Sequence, residues 1–232
     1  MLIIRGLIGG LVQLAILGAF LIVPAGLVPG GTWIWERALF FLGAYGIIVG
    51  ATIVTFAVKA PNSLQARLAR PSSRNQPPID RVITVMLGLT ILAWFVFIPV
   101  DVFYLKSLPA PHLAVSVAGA VLLLFGYAIV VAATYQNSFI VPYVADQTDR
   151  GQTVVDTGVY GVVRHPLYAG LVPLFAGIAL WLESYAGLVA MVVPLAVLVA
   201  RIVVEEKSLR QTLPGYTDYM TRVRYRLVPF IW

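Results

Sequence analysis

Two runs of residues carry side chains that could do chemistry. The first is Gln152-Thr-Val-Val-Asp-Thr-Gly-Val-Tyr160-Gly-Val-Val-Arg164-His165-Pro166-Leu167-Tyr168-Ala-Gly170. Within it, Asp156-Thr157-Gly158 signals a turn. Pro166 suits the first position of a helix, where its missing N–H costs nothing. Arg164 and His165 then stand just before a helix N-terminus, whose free N–H groups and partial positive charge attract a carboxylate or phosphate. For Arg164 the leading reading is only a marker of a membrane interface. For His165, set against a proline at a helix start, it is a ligand contact. The second run is Arg201-Ile-Val-Val-Glu205-Glu206. Arg201 and Glu205 share one helical face, about 6 Å apart along its axis. They read either as an ordinary ion pair worth a few tenths of a kcal/mol or as a functional pair, because ionisable groups continuing an apolar span usually face a cavity.

The elements that must position these runs are apolar. Hydrophobic residues make up 60% of the 232 positions and charged residues 11%, against roughly 25% charged in a soluble domain. No Asp, Glu, Lys or Arg occurs in 6–35, 38–58, 82–100, 107–145, 165–182 or 184–200. Since about 20 apolar residues cross a bilayer, six gaps imply six spans. The expected spans are 7–28, 38–58, 82–105, 112–135, 166–182 and 185–204, with Glu183-Ser184 as the tight turn of a helical hairpin. The fold class is therefore all-α, a polytopic integral membrane protein of about six transmembrane helices. Residues 1–136 form a four-span bundle. Residues 137–232 form the chemical core of the same integrated fold.

Several functions are excluded. The stretches outside the spans are too short for a nucleotide-binding βαβ domain. There is no cysteine, which removes thiol nucleophiles and Cys-metal sites, and two histidines cannot make a His-rich metal site. The net charge of +6 fits an anionic bilayer surface rather than nucleic acid, because the basic residues border the spans. Arg5, the loop 59–81, the segment 137–165 and the C-terminus together hold 14 of the 16 Lys and Arg. The positive-inside rule places these, and both termini, in the cytoplasm. In the loop 59–81, Pro71, Pro77 and Pro78 break any long helix, and Leu213-Pro214-Gly215 should end the helix carrying Arg201 and Glu205. The basic, aromatic tail beyond Tyr216 reads as lying on the membrane surface.

Taken together, Gly158-x-Tyr160, Arg164-His165-Pro166-x-Tyr168-x-Gly170, Glu205-Glu206-x-x-Leu209, Pro214-Gly215-Tyr216-x-x-Tyr219 and Arg226-Leu-Val-Pro229 resemble the isoprenylcysteine carboxyl methyltransferase family. The phospholipid N-methyltransferases look like relatives. The resemblance covers about 150–230. It implies an integral-membrane methyltransferase using S-adenosyl-L-methionine without a Rossmann domain, with the cofactor at the cytosolic ends of the last helices. Carried over by motif, Gln152, Thr153, Val154, Val155, Tyr160, His165, Pro166, Leu167 and Tyr168 would bind the cofactor. Arg201 and Glu205 would face the methyl acceptor. No metal is implied. A glutamine that often precedes the first pocket segment has no assigned counterpart, although Ala145 and Gln147 lie near its place, and the tail has Thr217-Asp218 where the family has glutamates.

The acceptor is then lipidic or prenylated, entering sideways from the bilayer. Carboxyl O-methylation of an isoprenylcysteine-like group is the leading reading, since Arg201 could hold a carboxylate by a bidentate contact. Phospholipid N-methylation is the alternative, with Glu205 as the base an amine needs. An NADPH-dependent membrane reductase of the sterol reductase type, a transporter and a non-catalytic binding protein are the rival classes.

Overall fold

The computed structural model describes residues 1–68, 78–140 and 151–232. Pro71 and Pro77 of the basic loop, and Ala145 and Gln147, lie outside the described residues. Each charge-free gap contains a helix. Helices α1 (Leu2–Leu27), α2 (Glu36–Lys59), α4 (Pro78–Val100, continued by a π-turn Asp101–Leu105) and α5 (Leu113–Gln136) fill the first four, and the short α3 (Pro61–Leu68) follows α2. Then come α6 (Pro166–Trp181), α7 (Tyr185–Ala190), α8 (Val192–Thr212) and α9 (Tyr216–Arg222). Side chains such as Ile4, Leu11, Phe40, Ile47, Leu89, Val121 and Val192 stand exposed on the long helices, as expected where hydrocarbon rather than water surrounds them.

Among the described residues, five helices, α7 and α8 counting as one, are long and apolar enough to span a bilayer. The sixth expected span is shorter. Helix α6 has 16 residues, about 24 Å at 1.5 Å per residue, less than the roughly 30 Å hydrocarbon core. Its start is fixed because the backbone N–H groups of Arg164 and His165 donate to the carbonyls of Tyr225 and Arg226 (both 2.9 Å), which pairs the chain there with the tail. Its end is fixed by Glu183 in the left-handed region, φ 64°.

Helix α6 is seated on α5 by glycines. Gly119 and Gly126 face Gly177 and Gly170, and a Cβ on Gly170 would lie 2.8 Å from the Gly126 carbonyl oxygen. Small residues let membrane helices approach until their backbones touch. The hydrophobic core, with Leu21, Trp94, Phe95, Ile98, Phe175 and Ile178, ties α1, α4 and α6 together.

The loops sort into two ends as the charge count requires. At one end Arg37 pairs with Glu183 (3.0 Å), and Ser184 Oγ donates to Asp101 Oδ2 (2.6 Å). At the other, the basic end, Arg5 Nη2 donates to the Leu68 carbonyl (3.3 Å), and the tail docks beside the start of α6.

Candidate functional site

The basic end holds a cavity of about 370 Å3 whose lining includes all eleven residues singled out in the sequence. Gln152, Thr153, Val154 and Val155 form one wall as chain without regular structure. Tyr160, His165, Pro166, Leu167 and Tyr168 form a second wall around the start of α6, and Arg201 and Glu205 close it from α8. Local conformation explains the second wall. Gly158 has φ +58°, and any Cβ there would collide with the Gln136 side chain, whose Oε1 accepts from Val159 N (3.1 Å). This pins the 3-10 turn Gly158–Gly161 to the end of α5. Pro166 then begins α6, as its preference for that position predicts.

Arg201 and Glu205 are linked through a third residue. Arg201 Nε donates to Tyr168 Oη (3.0 Å), and Tyr168 Oη donates to Glu205 Oε2 (2.7 Å). A second guanidinium nitrogen of Arg201, Nη1, donates to Thr84 Oγ1 (3.1 Å). Asp80, fully buried one turn before Thr84, also interacts electrostatically with Arg201. The cation is thus flanked by two carboxylates. The His165 ring stacks on Tyr168, with centroids 5.7 Å apart and planes 13° from parallel.

Glu206, next in the chain to Glu205, faces elsewhere. Consecutive helical residues point about 100° apart, so the two glutamates serve different surroundings. Glu206 is 2% exposed and accepts from Arg164 Nε (2.7 Å) and Arg226 Nε (2.9 Å), with His165 Nε2 3.3 Å away. Arg164 Nη1 also donates to the carbonyls of Val223 (2.8 Å) and Arg224 (2.7 Å). This corrects two expectations. Arg164 is no interface marker but a buried hub. The tail does not merely lie on the membrane surface. Tyr216 and Tyr219 of α9 and Val223 just past its end, spaced three and four apart, bury one stripe, and Tyr219 Oη donates to the Tyr160 carbonyl (2.8 Å). Burial raises the pKa of the Tyr160, Tyr216 and Tyr219 phenols above the ordinary 10.0.

Sequence reasoning missed Glu206, Asp80, Thr84, Arg67, Asn137 and Tyr216 as parts of the site or its support. Glu206 carried a signal, since adjacent glutamates on a helix cannot share a face. The Tyr216 Oη is buried and has no hydrogen-bond partner among the described residues, although Tyr216 lines the cavity.

No curated protein matches this chain significantly. A family does: the model of the phospholipid methyltransferase family matches residues 114–214. The match runs from α5 through α8, so it takes in the glycine seam, the first wall, the start of α6 and the Arg201–Glu205 face. Helices α1 to α4 and the docked tail lie outside it. Over residues 114–214 the chain is similar to the phospholipid methyltransferase family, integral-membrane methyltransferases related to the isoprenylcysteine carboxyl methyltransferases.

Proposed function

We propose that the protein is an S-adenosyl-L-methionine-dependent methyltransferase whose acceptor is the amine of a phospholipid, reached from the bilayer. The residues of the cavity fit this cofactor. The stacked His165 and Tyr168 rings offer an aromatic edge, the segment 152–155 offers backbone groups outside any helix, and Tyr216 Oη has no partner among the described residues, which a ligand would supply. The holding residues are Gln152 to Val155, Tyr160 and His165 to Tyr168. When bound, the cofactor supplies an electrophilic methyl group on a sulfonium. The basic end is taken as cytoplasmic, by the positive-inside rule, so a soluble cofactor enters there while the lipid enters between helices.

The observation that carries the choice of acceptor is the engagement of Arg201. Its guanidinium is held by Tyr168 and Thr84 and flanked by Asp80 and Glu205. Carboxylates of the protein already share this cation, which weakens its pull on a carboxylate acceptor, while Glu205 on the cavity wall favours an ammonium. An ammonium must lose a proton before its nitrogen has a lone pair to donate. Glu205, held by the Tyr168 hydroxyl, is placed to accept that proton. Tyr168 holds the carboxylate in orientation, and the surrounding apolar walls, Leu171 and Leu198 among them, exclude water.

A second reading, O-methylation of an isoprenylcysteine-like carboxylate, keeps one support: Arg201 is a guanidinium lining the acceptor side. Purified protein in nanodiscs, with labelled methyl donor, separates the two. Phosphatidylethanolamine should take up label at a rate rising between pH 6 and 9, and farnesylcysteine should not. A flat profile with label on farnesylcysteine reverses the assignment. Calorimetry should show binding of the methyl donor and none of NADPH. Heat with NADPH alone would move the protein to the reductases.

A further inference from the structure

A second cavity, of about 440 Å3, lies deeper in the bundle between α1, α2, α4, α5 and α6. Its walls are apolar, with Phe20, Phe41, Phe95 and Leu174 among them. Leu171 lines both cavities, so the polar chamber and the apolar one adjoin at its side chain.

Arg67 stands where the two meet. It lines the polar cavity and interacts electrostatically with Tyr160 of that cavity and with Tyr127 of the apolar one. Its Nη2 donates to Thr134 Oγ1 (2.7 Å), in the last turn of α5. Arg67 itself follows the end of α2 by eight residues on the short α3. Both neighbours place the guanidinium near the ends of two apolar helices, α2 and α5. Among the described residues, three arginines line the polar cavity. Arg164 is neutralised by Glu206, and Arg201 is flanked by Asp80 and Glu205. Arg67, an exposed side chain, makes no ion pair among the described residues. Among the described residues no carboxylate meets its remaining donors, and a guanidinium so placed suits a phosphate.

We propose that Arg67 holds the phosphodiester of the acceptor lipid, with one hydrocarbon chain of that lipid in the apolar cavity behind Leu171. This rests on the amine-lipid reading above. The arrangement divides the acceptor by chemistry. The amine meets Glu205 on one side of the cavity, the phosphate meets Arg67 on the other, and the chain runs down between helices that line its path mostly with apolar side chains. A planar guanidinium can give a phosphate two parallel hydrogen bonds while one nitrogen stays on Thr134.

The test counts retained lipid by native mass spectrometry of delipidated protein, with dioleoylphosphatidylethanolamine and dioleoylglycerol as probes. Arg67→Gln can keep the bond to Thr134 but lacks the charge. It should lose on the order of tenfold in retention of the phospholipid, about 1.4 kcal/mol, and keep dioleoylglycerol and its affinity for the methyl donor unchanged. Arg67→Lys should recover most of the phospholipid. Equal retention of phospholipid by Arg67→Gln overturns the proposal. So does a parallel loss of dioleoylglycerol, which would mean a disrupted cavity, or a loss of donor affinity alone, which would place Arg67 on the cofactor. Methyl transfer is assayed separately. Wild-type protein that holds the phospholipid through Arg67 but methylates none would sink the amine-lipid reading and leave the anchor standing.

Discussion

Glu205 and Glu206 are neighbours on one helix with opposite fates. Glu206 is sealed: its carboxylate is shared among Arg164, His165 and Arg226, and its side chain is 2% exposed. Glu205 lines a cavity, and Tyr168 is its hydrogen-bond donor there. The first arrangement closes a circuit between the start of α6, α8 and the tail, and nothing is left for a ligand. The second is braced on one side and open on the other. Charge at a membrane surface builds structure when its partners converge on it and does chemistry when one side is left unspent. The same contrast separates Arg164 from Arg67.

The comparison is broken first at Glu206. Glu206→Gln removes the counter-charge of Arg164, whose side chain is only 4% exposed. Removing one partner of a buried pair costs about 3–5 kcal/mol, enough to undock the tail. The expected result is rapid proteolysis beyond Leu213 and loss of donor binding together. A Glu206→Gln protein with a protected tail would mean the cluster is dispensable. Glu205→Gln is the opposite case. It keeps the hydrogen bond from Tyr168 but cannot take a proton. Turnover should fall at least 100-fold, the low end for general-base loss, while the melting temperature and donor affinity stay near wild type. A variant that lost stability and activity in step would reduce Glu205 to another structural partner.

His165 lies between the two glutamates in character. Its Nε2 is 3.3 Å from Glu206 and its ring stacks on Tyr168 in the cavity wall. His165→Ala leaves Arg164 and Arg226 on Glu206, so the tail should stay docked. Donor affinity should fall roughly tenfold, about 1.4 kcal/mol. Calorimetry showing unchanged affinity with a lowered melting temperature would assign His165 to the structural cluster.

The helices were legible because the constraint on them is local. A bilayer forces each apolar run to satisfy its own backbone, so the charge gaps alone located every long helix. Pro166 at a helix start and Pro214-Gly215 past a helix end were equally local. The eleven cavity residues came together because the family resemblance placed them, not because spacing did. What stayed hidden was long-range. Arg164 and Glu206 are 42 residues apart, and no periodicity in the chain pairs them. The glycine seam is written as two spacings of seven, Gly119 to Gly126 and Gly170 to Gly177, but it has meaning only once α5 and α6 are known to be neighbours. The tail misled because three basic residues hide an apolar stripe. Tyr216, Tyr219 and Val223 recur at helical spacing between them, and Arg224 and Arg226 gave the segment its surface appearance.

The finest distinction lies within that stripe, between Tyr216 and Tyr219. Tyr219 Oη donates to the Tyr160 carbonyl, whereas Tyr216 Oη has no partner among the described residues. Tyr219→Phe should cost about 1 kcal/mol, one ordinary hydrogen bond. Tyr216→Phe removes a hydroxyl already unsatisfied, so at neutral pH the melting temperature should hold or rise slightly. Donor affinity should fall if the ligand completes that hydroxyl. Alkaline pH sharpens the difference. Burial raises both phenols above their unfolded value of 10.0. A phenol that resists ionising in the folded state contributes stability that is fully present below pH 10. That contribution is lost as pH rises toward the folded value, because the unfolded chain releases protons first. Tail docking should therefore be independent of pH from 7 to 9 and weaken above 10. Each Tyr→Phe substitution should flatten the alkaline fall, because Phe has no proton to release. Circular dichroism melts from pH 8 to 11.5 check this. An alkaline fall of unchanged steepness in both variants would show that these two phenols do not control the docking of the tail.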